Sequence, residues 1–462
     1  MDDATTPTPV ATPRDVIPFR TAVRAWFAIS WQTFGGPSGQ IAVMQRTLVD
    51  EKGWIGQRRF LHALNYCMLL PGPEAQQLAV YTGWLLNGTR GGIVAGGLFV
   101  LPGMLALLAL AAIYVAFGDT TVVSAVFAGL APAVLAIVAQ AVVRVGRRAL
   151  TSPPLVALAV ASFVALALFG VPFPLVVLAA GLAGWLLHRV APHQIDPPPS
   201  RPDADAEGRT PLIPDDALHA ERPSGRRTAR VLAIGLVVWA LPVLAVLALT
   251  GRDSTLTHLG TFFSGTAVVT FGGAYAVLAY VAQRAVETYG WVTPGEMTRG
   301  LALAETTPGP LIMVVQFVAF LAAYRAPGDL DPWAAAVVGA LLVTWVTFVP
   351  SFLFIFLGAP YVERLRSNRS LSAALAAVTA AVVGVIANLA LYFTTHTLFA
   401  QTTPITWGPL RLDVPDVSTL QPWSLTIAVV GAVLVFGLRW SVLRTLAVCA
   451  ALGLALGLAG ML

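Results

Sequence analysis

The sequence predicts an all-α polytopic integral membrane protein: two inverted-topology repeats with broken or re-entrant helices, and one extra helix between them. Composition is the first observation behind this. Of 462 residues 57% are hydrophobic and 11% charged, with a mean hydropathy of +0.76, too little polar surface to cover a soluble globule. The second is a duplication. Phe34-Gly35-Gly36 returns as Phe271-Gly272-Gly273, and Pro71-Gly72-Pro73 as Pro308-Gly309-Pro310, both at an offset of 237 (271 − 34 and 308 − 71). The third is an arginine asymmetry that reverses between the copies.

In chain order, residues 1–19 are polar, rich in Thr and Pro, and lack an apolar stretch after a basic start. They read as a disordered cytoplasmic tail rather than a cleaved signal peptide. Uninterrupted apolar runs lie near 90–117, 122–143, 153–170, 172–190, 230–249, 333–358, 370–393, 423–438 and 441–461. Each approaches or exceeds the roughly 17–25 residues of a spanning helix. Segments 20–48, 57–87, 258–285 and 294–325 are also apolar, but each is cut near its middle by FGG or PGP. Such breaks free backbone groups that lipid cannot satisfy, so they persist only where protein or a water-filled cavity supplies partners.

The stretch 191–229 is rich in Pro, Asp and Arg and reads as a disordered cytoplasmic linker between repeats at 20–190 and 250–462. In the first half Arg144, Arg147 and Arg148 cluster at a helix end, whereas the turn at 118–121 carries only Asp119. In the second half Arg364, Arg366 and Arg369 fall where Asp119 was, and 394–422 holds the single basic residue Arg411. By the positive-inside rule the copies are inverted, and the helix at 230–249 supplies the additional crossing. Over positions 33–73, twelve of forty-one residues are identical at the 237 offset, among them Thr33/Thr270, Gly53/Gly290 and Trp54/Trp291. The offset then becomes 248, pairing Pro102 with Pro350 and Gln140 with Asn388. The net charge of +5 is spread over short loops and the linker, so no nucleic acid is expected. Cys67 and Cys449 lie in separate apolar segments, without a CxxC pair or a metal-ligand pattern.

The run FGGPSGQIAVM from Phe34, then Arg46, Trp54 and Phe60, LLPGPEAQQLAVYTGW from Leu69 and FVLPG from Phe99 closely resemble the chromate ion transporter family. FGGAYAVLAYVAQ from Phe271 and AETTPGPLIMVVQFVAF from Ala304 resemble that family's C-terminal repeat. The resemblance implies a long-chain, two-repeat protein of the cell inner membrane. It would export chromate, a tetrahedral dianion, using the proton motive force and so confer resistance. Its partners are then chromate or a related oxyanion, protons and the lipid bilayer; a homodimer is compatible with this organisation. Sulfate transport, or an anion channel of the same fold, remains the alternative. No flavin, haem or nicotinamide motif is recognisable, so neither a cofactor nor an enzyme activity is expected.

A dianion in a bilayer must exchange its hydration for other partners. A helix that starts right after a Gly-Gly or Pro-Gly break offers free N–H groups and the positive end of its dipole. The expected substrate cradle is therefore Phe34, Gly35, Gly36, Pro71, Gly72, Pro73, Phe271, Gly272, Gly273, Pro308, Gly309 and Pro310. The amides of Gln40, Gln77, Gln140 and Asn388, with Gln76 and Gln316, are candidate donors to oxyanion oxygens, or interhelical glue. Arg24 and Arg46 flank the first break and are candidates for guiding an anion, although Arg24 also suits a snorkelling role. Glu74 and Glu305, acids within apolar segments, are the proton-coupling candidates. His62 reads as a packed or interfacial residue. Gly91, Gly92, Gly96 and Gly97 read as helix-packing positions rather than a nucleotide fingerprint.

Overall fold

The computed structural model describes residues 15–68, 70–190, 211–213, 224–271, 273–359 and 369–461. Within these residues the chain is an all-α polytopic membrane protein, and six helices are long and apolar enough to cross a bilayer. The first half comprises α1 (Phe19–Ser30), α2 (Gly36–Gln45), a π-helical turn (Arg46–Glu51), α3 (Gln57–Cys67), α4 (Glu74–Phe117), α5 (Thr121–Ala149), α6 (Pro153–Ala167) and α7 (Phe173–Val190). Helix α8 (Gly225–Thr250) follows. The second half comprises α9 (Thr255–Val269), α10 (Ala274–Gln283), a π-helical turn (Arg284–Thr288), α11 (Pro294–Thr306), a 3₁₀ turn (Leu311–Met313), α12 (Val314–Arg325), α13 (Pro332–Gly358) and α14 (Arg369–Leu398). A β-hairpin of β1 (Thr402–Trp407) and β2 (Leu410–Pro415) comes next, then α15 (Pro422–Ala432) and α16 (Val442–Leu458).

Every apolar run read from the sequence is helical, and all four broken segments are interrupted at FGG or PGP. Helix α1 has 12 residues and α2 has 10. At 1.5 Å per residue such pieces reach about 15–18 Å, roughly half of a 30 Å hydrocarbon core. Hydroxyls close the carbonyls that the breaks expose: Thr33 Oγ1 donates to Ser30 O at 2.8 Å and Thr270 Oγ1 to Thr266 O at 2.6 Å.

Helix α4 is two limbs. Asn87 and Gly88 leave helical geometry, Gly88 with φ +60°, and the chain reverses there. The limb from Glu74 then packs antiparallel on the next, with no room for a β-carbon at Gly83 against Gly91 and Ala95, or at Gly96 against Val80. Gly91, Gly92 and Gly96 are thus close-packing positions, whereas Gly97 faces open space. Asn87 fixes the reversal by donating to Ile17 O at 2.7 Å and Asp15 Oδ1 at 3.0 Å.

The order of elements recurs at fixed spacings. Helices α3 and α11 start 237 residues apart (294 − 57), and α5 and α14 start 248 apart (369 − 121). The pairs α6/α15 and α7/α16 start 269 apart (422 − 153 and 442 − 173). The last increment accommodates the hairpin, whose two-residue Gly408-Pro409 turn uses φ +60° at Gly408. Packing is reciprocal: α5 packs on α15 and α16 of the second half, while α14 packs on α6 and α7 of the first.

Helix α8 has no buried residue and lies against α9 and α13. Reciprocal indole bonds hold it, Trp239 Nε1 to Val346 O at 3.1 Å and Trp345 Nε1 to Val238 O at 2.9 Å. It starts at Gly225, inside the stretch read as linker. Also within that stretch, Ile213 is buried and pairs with Ile55, Leu212 N donates to Gly53 O at 3.1 Å and Ile213 N to Trp54 O at 3.0 Å. Ile213 buries apolar surface beside Trp54, which a uniformly polar reading of the linker misses. Residues 1–14, Arg364, Arg366 and the rest of the linker lie outside the described residues.

Candidate functional site

The two kinds of break meet across the halves. Gly309 N donates to Thr33 O at 2.9 Å, and Gly72 N donates to Thr270 O at 2.8 Å. Thr33 and Thr270 are repeat equivalents, as are Gly72 and Gly309, so the FGG corner of each half is bonded to the PGP corner of the other. The next helices complete each crossing. Gly103 lies against Pro308 O and Gly309 Cα, and its equivalent Ser351 lies against Gly72. Both follow a helix-interior proline, Pro102 or Pro350.

These bonds divide the expected cradle. The N–H groups of Gly72 and Gly309 are engaged in the framework and are not free for a ligand. The left-handed backbone of Gly72 (φ +122°) and Gly309 (φ +100°) aims those N–H groups across the crossing, a geometry that favours glycine. The flanking Pro71, Pro73, Pro308 and Pro310 lack an N–H and stiffen the corners. The free helix starts are those of α2, capped by Gly35 (φ +79°), and of α10, capped by Gly273 (φ +95°), and neither has a side-chain cap. Phe34 and Phe271 precede them, both half-buried. Gly272 lies outside the described residues.

At the α2 start a β-carbon on Gly35 or Gly36 would meet nothing within 4 Å. Arg144 of α5 reaches this corner, its Nη1 3.5 Å from Ser38 Oγ. Its Nη2 donates to Gln140 Oε1 at 2.7 Å, so Gln140 orients the guanidinium with its carbonyl oxygen. Arg144 also lies within electrostatic range of Tyr275 and Glu305. Ser38 and Tyr275 are repeat equivalents (275 − 38 is 237), so Arg144 stands between the halves. Its own equivalent is Tyr392 (392 − 144 is 248). By sequence Arg144 is only a topology marker. The signal available was its i,i+4 spacing from Gln140, which puts both on one helix face.

The other candidates disperse. Gln40, 1% exposed, donates from Nε2 to Gly309 O at 2.6 Å and is part of the crossing. Replacing it with leucine leaves that buried carbonyl without this donor, an expected loss of about 1–3 kcal/mol, readable as reduced thermal stability in detergent. Gln77 donates to Pro71 O at 2.7 Å within its own corner. Gln316 is occupied by Met104 O and Thr344 Oγ1 at 3.0 and 3.2 Å. Both amide atoms of Gln76, fully buried, lack a partner. Asn388 on α14 is half-buried.

Arg46 is exposed and bonded to Gln32 Oε1 at 3.0 Å, with its Nε 3.4 Å from Glu51. Gln32 and Glu51 line a cavity of about 360 Å³ together with Arg24, Thr47 and Lys52. Of the two arginines placed on either side of the break by sequence, Arg24 lines this cavity and Arg46 is bonded to two of its lining residues.

Glu305, 2% exposed, accepts a hydrogen bond from Tyr275 OH at 2.5 Å. The Glu74 carboxylate lies at the start of α10: its Oε1 and Oε2 are 3.3 and 3.8 Å from the place of a β-carbon on Gly273.

The family model described as chromate transporter matches residues 21–185 and 257–455. The chromate transport protein of Pseudomonas aeruginosa is 31% identical over 414 residues, 88% of each chain. That of Cupriavidus metallidurans is 28% identical over 359 residues, 76% of this chain and 77% of the relative. An uncharacterized transporter of Methanocaldococcus jannaschii is 23% identical over 360 residues, 78% of this chain and 80% of the relative. No solved structure matches this chain. Two family segments that each carry an FGG and a PGP corner, with relatives covered along most of their length, place this chain in the chromate transporter family.

Proposed function

We propose that this chain is a secondary active transporter that exports chromate from the cytoplasm across the inner membrane, driven by the proton motive force, and thereby confers chromate resistance. The observation that carries the reading is the open start of α2, where Ser38 and Arg144 stand beside an uncapped helix N-terminus. A tetrahedral dianion there accepts from the helix N–H groups, the Ser38 hydroxyl and the guanidinium, which replace its lost hydration. The halves are inverted repeats with a cytoplasmic N-terminus. Reciprocal FGG–PGP bonding and exchanged helix packing support that arrangement.

Coupling runs through Glu305, whose hydroxyl partner Tyr275 is the repeat equivalent of Ser38 at the anion corner. The test is chromate uptake into everted vesicles, with and without a protonophore. Collapse of the proton gradient is expected to reduce uptake to the level of vesicles lacking the protein. Glu305→Gln is expected to keep chromate binding and lose the response to the gradient. Uptake indifferent to the gradient in the wild type removes the coupled mechanism, and full competition by sulfate broadens the substrate class to tetrahedral dianions.

A further inference from the structure

The two corners where FGG meets PGP are equivalent by descent but not in charge. At the first, Gln40 of α2 donates to Gly309 O at 2.6 Å, and the position of a β-carbon on Gly36 is open. At the second, α10 starts beside the first turn of α4, and the repeat equivalent of Leu311 is Glu74 (311 − 74 is 237). Its carboxylate reaches Gly273, the residue that caps α10. Glu74 is also the first residue of α4, whose N-terminus has no other side-chain cap. Two helix N-termini therefore converge on one carboxylate.

One hydroxyl at this corner remains unpaired. Ser351 Oγ, on a residue 1% exposed, has no partner and lies 2.7 Å from where a β-carbon on Gly72 would stand. Gln77 Nε2, 2.8 Å from the same point, is committed to Pro71 O. A buried, unpartnered hydroxyl beside these helix starts is a donor for which the structure shows no acceptor.

We propose that Glu74 is a tethered anion occupying the second of two ancestral oxyanion sites, so that the protein binds one substrate dianion per chain, at the Arg144 corner. A second dianion is excluded because the two negative charges would share one set of donors at close range. The inference rests on the transport reading above, through its assignment of the first corner.

The test is equilibrium dialysis of the purified full-length protein in detergent against chromate, whose own absorbance reports the bound amount. Wild type is expected to bind one chromate per chain, and Glu74→Ala two. Glu74→Gln keeps the volume and removes the charge; it is expected to bind two as well, and it stands in if the alanine variant does not yield folded protein. Adding Arg144→Met to Glu74→Gln is expected to return the count to one, by removing the first site and leaving the second. A count of one in folded Glu74→Gln overturns the tethered-anion assignment and leaves the transport reading intact. A wild type that binds no chromate overturns the transport reading, and this inference with it.

Discussion

Arg144→Met is expected to abolish chromate transport while the protein remains folded in the membrane. Methionine keeps much of the side-chain volume and removes the cation that stands 3.5 Å from Ser38 Oγ. Losing a charged hydrogen-bond partner from a desolvated anion site costs about 2–5 kcal/mol, which is roughly thirtyfold to several-thousandfold in affinity at about 1.4 kcal/mol per factor of ten. Arg144→Lys restores the charge but not the planar fork that lets one guanidinium bond both Gln140 and an oxyanion, so it should fall between the two. Arg147→Met, on an exposed residue of the same helix end, is the control and should transport normally. Initial rates of chromate uptake into everted vesicles, normalised to protein, are the measurement. Near-wild-type uptake by Arg144→Met would remove this residue from the site.

Gly36→Val is expected to have the next largest effect, again on transport rather than assembly. Gly36 has φ +72°, where a β-branched residue is strained by about 1–3 kcal/mol. Space is available, because no atom lies within 4 Å of where a β-carbon would stand, so the protein should still fold. The new side chain would occupy the approach to the α2 N-terminus that a ligand needs. Gly309→Val separates site from scaffold. It adds strain at φ +100° to a contact of 3.3 Å with Gly103 Cα, and should lose stability as well as transport. Gly97→Val, in a helical and open position, should change neither. Transport by Gly36→Val at the wild-type rate would reject the α2 start as the anion site.

Much of this architecture was legible because its causes are local. A bilayer demands apolar runs of a set length, and no residue can hide a Gly-Gly or Pro-Gly-Pro break in lipid without help, so the helices and their interruptions followed from composition and spacing. The duplication was legible from shared Trp, Gly and Pro in one register. Glu74 and Glu305 are legible because acids in apolar segments are conspicuous. The role of Arg144 is not legible, because an arginine near a helix end has an ordinary topological explanation, and nothing within its own helix shows Ser38, 106 residues away, to be its neighbour. A Pro-Gly corner frees N–H groups, which by sequence points Gly72 and Gly309 toward a ligand. Where those groups go is a long-range matter, and they go to Thr270 and Thr33.

The order of helices, the position of every break and the membership of two repeats are thus encoded in short-range chemistry: hydropathy, backbone freedom at glycine and the missing N–H of proline. Three things came from the assembled fold. These are the bonding of each FGG corner to the opposite half's PGP corner, the aim of Arg144 at the first corner, and the occupation of the second by Glu74. All three depend on close approaches between residues more than a hundred positions apart, made when reciprocal packing of the halves brings broken helix ends together, where every free backbone and side-chain group must find a partner away from water.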